Sequence, residues 1–102
     1  MIEFDLLVSQ SEVNAKYINL TDRYRRRYGQ QIGEEGASVR VLDGKGRLYK
    51  MNRHGGNQLT GCSSWFQQNG VQPNTRILVR FDTDTRLLHL IPGQMSKQRR
   101  VQ

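Results

Sequence analysis

The sequence predicts a mainly β protein, a seven-stranded open pseudobarrel with two short helices at its ends. Three observations predict it. Apolar and polar residues alternate over short runs, as at Val39 and Val41 and again at Ile77, Val79 and Phe81, which is the period of a half-buried strand. Turn sequences, DGKG at 43–46 and DTDT at 82–85, stand between such runs and reverse the chain. Only two segments carry helix signals. So many short strands in 102 residues would leave open edges that invite association, and curling the sheet toward closure is the economical remedy.

The elements follow in order. Ile2 to Val8 reads as the first strand, SQSEVNAK as a polar arm, and Tyr17 to Leu20 as a second short strand. Thr21 is placed to cap a helix over TDRYRRRY, in which Leu20, Tyr24 and Tyr28 recur every four residues and Gly29 stops the run. ASVRVLDGKGRLYKMN forms the clearest hairpin. Its glycines invite a phosphate-loop reading, but the spacing GxxxxGK[ST] is missing and no helix pattern follows. In LTGCSSWFQQNG the serines are placed to cap a helix carrying Trp65 and Phe66, with Gly70 closing it. RILVRF and RLLHLI complete a second hairpin. Tyr24, Tyr28, Trp65 and Phe66 are expected to pack in the core. Residues 1–93 are expected to form one domain, and 94–102, polar and nearly without apolar anchors, a disordered basic tail.

Charge narrows the partners. Sixteen Lys and Arg against nine Asp and Glu give a net charge of +7 and a pI near 10.2, which favours a polyanion. Thirteen of the sixteen lie between Lys16 and Arg86, so the charge belongs to the folded surface. Most are arginines, whose planar fork suits phosphate and guanine. Cys62 has no partner for an internal disulfide, and with His54 and His89 as the only histidines no zinc set can be assembled. It is expected to be a small buried residue. No run approaches 18 apolar residues and the acidic N-terminus is unlike a signal peptide, so a cytoplasmic location is expected.

The order of these parts resembles the B-three DNA-binding domain, the pseudobarrel of plant transcription factors that also serves as the recognition domain of some bacterial restriction enzymes. The resemblance spans Phe4 to Pro92. VSQSEVNAKYINLTDRYRRRYG resembles the family's first strand, polar arm, second strand and first helix, and VRVLDGKGRLYKM its central hairpin. NQLTGCSSWFQQNGVQPNTRILVRF carries the most specific part: Leu59, Thr60 and Gly61, then Phe66, then Asn69, Gly70 and Val71, then Ile77, Val79 and Phe81. Cys62 and Ser63 stand where the family has glycine and tryptophan, and Asn74 and Thr75 where it has glycine and aspartate.

The resemblance implies double-stranded DNA as partner, gripped in the major groove by two polar arms, in transcription regulation or restriction-type recognition, in a bacterial or phage-encoded protein. The first arm is Ser9, Gln10, Ser11, Asn14 and Lys16; the second is Arg53, His54, Asn57 and Gln58, with Lys50 on the strand leading in. Amides that can pair with adenine, cations for phosphate or guanine, and glycines for close approach make both stretches suitable for reading DNA. Arg23, Arg25 and Arg26 are expected to be accessory phosphate contacts.

Catalysis finds little support. Glu34 and Glu35, Asp43, and Asp82 with Asp84 are scattered over loops and turns, and neither histidine has a nucleophile at a useful spacing. No metal, cofactor or small-molecule substrate is expected. Two other readings stay open: a basic barrel for RNA or single strands, and a module docking an acidic protein. Oligomeric state is left open, because no dimer seam is visible in the sequence.

Overall fold

A computed structural model describes residues 1–93, so the expected tail at 94–102 lies outside the described residues. The strands are β1 (Ile2–Leu7), β2 (Ile18–Asn19), β3 (Ser38–Leu42), β4 (Leu48–His54), β5 (Gln58–Thr60), β6 (Arg76–Asp82) and β7 (Leu87–Pro92). The helices are α1 (Gln10–Ala15), α2 (Gly29–Ile32) and α3 (Ser63–Asn69). The seven strands make one curled sheet in the order β1-β6-β7-β3-β4-β5-β2. Every pairing is antiparallel except β3 with β7. Both edges, β1 and β2, come from the first twenty residues, so the pseudobarrel is open between them.

Alternation decides which side chains fill it. Phe4 and Leu6, Val39 and Val41, Ile77, Val79 and Phe81, and Leu88 and Leu90 are all buried in one cluster. Trp65 of α3 reaches into this core, fully buried, its indole Nε1 donating to Leu90 O at 3.2 Å and its ring edge-on to Phe66 at 5.2 Å. The DGKG turn is tied to the same helix. Buried Asp43 accepts from the amides of Lys45 and Arg47, from Arg47 Nε at 2.7 Å and from Tyr49 OH at 2.8 Å, while Arg47 Nη1 also reaches Gln68 at 3.2 Å. Burial alone would raise the Asp43 carboxyl, but these donors more than offset it and hold the group well below the usual carboxylate range.

Three local expectations are corrected. The polar arm SQSEVNAK contains a helix: Ser9 Oγ accepts from Glu12 N, and Glu12 Oε1 accepts from Ser9 N at 2.8 Å, a capping box written in the sequence as S-x-x-E. The segment TDRYRRRY, expected to be helical, is a hairpin in which Thr21 bridges Arg27 and Gly29 opens α2 instead of ending a helix. Asp22 Oδ1 accepts the amides of Tyr24 and Arg26, a local alternative to helical bonding, and four neighbouring arginines would repel one another along a helix. Tyr24 is consequently 64% exposed and not in the core, whereas Tyr28 stacks on Phe4 with ring centroids 4.4 Å apart. Lastly, the N-cap of α3 is Cys62 without a side-chain hydrogen bond, and Ser63 and Ser64 are its exposed first residues.

Candidate nucleic-acid interface

Strand alternation that sends apolar residues inward sends their neighbours to the sheet's outer face. On β4, Lys50, Asn52 and His54 are exposed while Met51 and Arg53 are buried. Register carries this row sideways: Lys50 stands beside Arg40, Asn52 between Ser38 and Thr60, and His54 beside Gln58, which stands beside Asn19. A polar patch rich in amides and hydroxyls, with two cations, therefore runs over β3, β4, β5 and β2. Asn19, Ser38, Arg40, Asn52 and Thr60 were not among the candidates read from the sequence. The signal that finds them is the period of two, extended across strands by the register.

The two arms leave this patch at opposite ends of the β2–β5 ladder. Ile18 pairs with Leu59 and Asn19 with Gln58, so α1 joins at the Gly61 end, and the turn at 55–57 lies at the other, where Leu20 N donates to Asn57 O at 2.8 Å. In the first arm Ser9 is occupied as the helix cap. Gln10 Nε2 donates to Asn14 Oδ1 at 2.9 Å, both on the exposed side with Ser11. Lys16, in the left-handed conformation at φ 58, donates to Val13 O and lies 5.6 Å above the Phe66 ring. Buried Glu12 fixes the arm to the sheet, because its second oxygen accepts Asn19 N at 2.7 Å.

The second arm differs from expectation in one residue. Arg53 is not available to DNA: it is 4% exposed and faces inward, in phase with Met51. Its Nε donates to Gly29 O at 2.7 Å and Gly33 O at 3.1 Å, and its Nη1 to His54 O and to Gln58 O at 3.1 Å. A buried guanidinium needs acceptors for its fixed fork of donors, and four carbonyls supply them. Arg53 thus holds both ends of the turn that presents His54, Asn57 and Gln58. Asn57 itself is half-buried at φ 66, beside Gly56 at φ 73, in a turn that needs left-handed residues.

Cys62 is buried in the core. Burial, and then the Glu12 charge, push the Cys62 thiol up to about 12, and Sγ contacts Leu59 O at 3.4 Å. Among the described residues, no three His, Cys, Asp or Glu side chains gather as a metal site, and no helix is long and apolar enough to cross a membrane.

The fold is shared with solved structures. The Arabidopsis FUS3–DNA complex is similar over 91% of this chain and 97% of that one, with a TM-score of 0.69 at 17% identity. A hypothetical Arabidopsis thaliana protein is similar over 93% and 92%, with a TM-score of 0.65 at 14% identity. The N-terminal domain of Helicobacter pylori LlaJI.R1 is similar over 97% and 93%, with a TM-score of 0.60 at 8% identity. No family model matches the chain, and no curated protein matches it by sequence. The resemblance to B-three pseudobarrels drawn from the sequence holds as a likeness of fold.

Proposed function

We propose that this domain binds double-stranded DNA without catalysis, reading sequence through the outer face of β2, β5, β4 and β3 while α1 and the turn at 55–57 grip either side. The observation that carries this reading is the composition of the face. Asn19, Asn52 and Gln58 are amides suited to base edges, and Lys50 and Arg40 are cations suited to phosphate or guanine, all held on paired strands with fixed spacing. The similar FUS3 chain is in a complex with DNA, which supports carrying the partner across on fold analogy.

A single-strand or RNA role would favour aromatic platforms on that face. The outward residues of its strands are amides, hydroxyls, cations, a histidine and leucines; Phe4, Trp65, Phe66 and Phe81 are buried, Tyr28 and Tyr49 pack half-buried against the core, half-buried Tyr17 precedes β2, and Tyr24 lies on the hairpin. The duplex reading is the better supported.

The test is a titration of labelled duplex DNA, single-stranded DNA and RNA at two salt concentrations, followed by selection of a preferred duplex from a random pool. Duplex is expected to bind most tightly, with one enriched site. Equal affinity for all three, or an absence of binding at low salt, would refute the proposal.

A further inference from the structure

The hairpin over residues 20–28 has features that the fold does not require. Three backbone bonds close it: Tyr28 N donates to Leu20 O, Asp22 N to Arg26 O and Arg25 N to Asp22 O, all between 2.9 and 3.1 Å. Within it Arg23, Arg25, Arg26 and Arg27 are all exposed. The ion pairs among the described residues, Arg47 with Asp43 and Arg80 with Glu3, include none of these four. Arg25 sits at φ 64, where asparagine or glycine would be less strained. Four crowded cations and a strained arginine at a tip disfavour the isolated fold.

The same features suit a ligand with closely spaced negative charges. Two guanidiniums lie against Tyr24, Arg23 at 4.8 Å and Arg26 at 5.9 Å from its ring centroid, and Arg23 Nη2 donates to its hydroxyl at 2.6 Å. The ring thus restrains two long side chains that would otherwise lose rotamer freedom on binding. The hairpin is also anchored to the second arm. Leu20 bonds Asn57, and Arg27 lines a shared groove with Gly55, Gly56 and Asn57.

We propose that this hairpin is a phosphate clamp, a sequence-independent contact to the duplex backbone beside the second arm that extends the footprint past the sheet face. The inference rests on the duplex-binding reading above. Guanidinium forks pair bidentately with phosphate oxygens, and each phosphate neutralised releases counterions, so the clamp is visible in the salt dependence.

The experiment measures affinity against salt for the intact chain on its selected duplex, on duplexes trimmed from each side, and for variants. Arg25→Gln with Arg26→Gln is expected to lower the slope of log affinity against log salt by about 1.8, at ~0.9 per phosphate, with sequence preference unchanged. The intact chain on the duplex trimmed at the hairpin side is expected to show the same loss. Arg25→Asn is expected to raise the thermal midpoint while weakening binding, a pairing that a structural role for the arginine would not produce. Should the double glutamine variant fail to fold, the intact chain on the trimmed duplex decides, and a slope unchanged by trimming at the hairpin side would overturn the clamp. A double variant with unchanged slope and footprint would overturn the clamp alone. Absence of duplex binding by the intact chain, or binding to poly-glutamate in its place, would overturn the clamp together with the DNA-binding reading.

Discussion

Two buried charges, Arg53 beneath the second arm and Asp43 in the turn between β3 and β4, show how single residues hold this fold. Arg53 bonds four carbonyls that belong to α2, its exit and the second arm, so its removal leaves four acceptors without their donor. Arg53→Met, close in length, is expected to cost about 3 kcal/mol in denaturant unfolding, because a buried polar group stripped of its partner costs ~1–3 kcal/mol and here several are affected. Arg53→Lys is expected to recover little, since one ammonium cannot reproduce the fork. Asp43 tests the other sign of charge. Its folded pKa lies below the ordinary 3.8, so it contributes stability that is complete above that value and lost as pH falls toward the folded value. Asp43→Asn is expected to be less stable than the native chain at pH 7, with the gap closing as the pH is lowered below 3.8, as followed by urea midpoints across the acid range.

At the scale of elements, local chemistry competes with periodicity. Leu20, Tyr24 and Tyr28 have helical spacing, yet Asp22 captures the Tyr24 and Arg26 amides and the segment folds back on itself. That reversal brings Gly29 against the second arm. A Cβ added there would run into the Asn57 side-chain oxygen and come within 2.9 Å of the Asn57 Cα and of Arg53 Nη2. Gly29→Ala is therefore expected to destabilise by about 1–3 kcal/mol, since one of the atoms in the way is backbone and cannot swing aside. Thermal unfolding checks it, and a neutral result would mean that α2 and the turn at 55–57 are not packed as described. The first arm needed a different signal. Its capping box, Ser9 with Glu12, could be read directly from S-x-x-E, but a six-residue helix carries too little apolar periodicity to mark itself.

For the whole molecule, the sheet order joins residues that are far apart in the chain. Asn19 and Gln58 are neighbours, as are Arg40 and Lys50, and Ser38, Asn52 and Thr60 form one row. If this assembled face reads DNA, Asn52→Ala is expected to relax preference at one position of the selected site by roughly 1–3 kcal/mol, and Lys50→Ala to weaken all duplexes alike if it meets phosphate. Binding of the randomised pool against the selected site separates the two outcomes. Both side chains are exposed on β4, so unfolding midpoints are expected to stay near the native value.

What the sequence determined by itself was whatever is local in physical origin. Alternation in SVRVL and RILVRF, the turns at 43–46 and 82–85, Gly70 after α3 and the positive charge are properties of a few adjacent residues, and each can be read without knowing its neighbours in space. The tertiary structure decided which polar residues share a surface. LYKMNRH places Lys50 and His54 on one side and Arg53 on the other, so the second arm could not present all three, and the parity of the strand already contained that separation. What parity could not supply was the four carbonyls awaiting Arg53, from residues 29 and 33 on one side and 54 and 58 on the other. A buried cation is intelligible only together with the backbone that satisfies it, and that backbone converges through sheet pairing between distant segments.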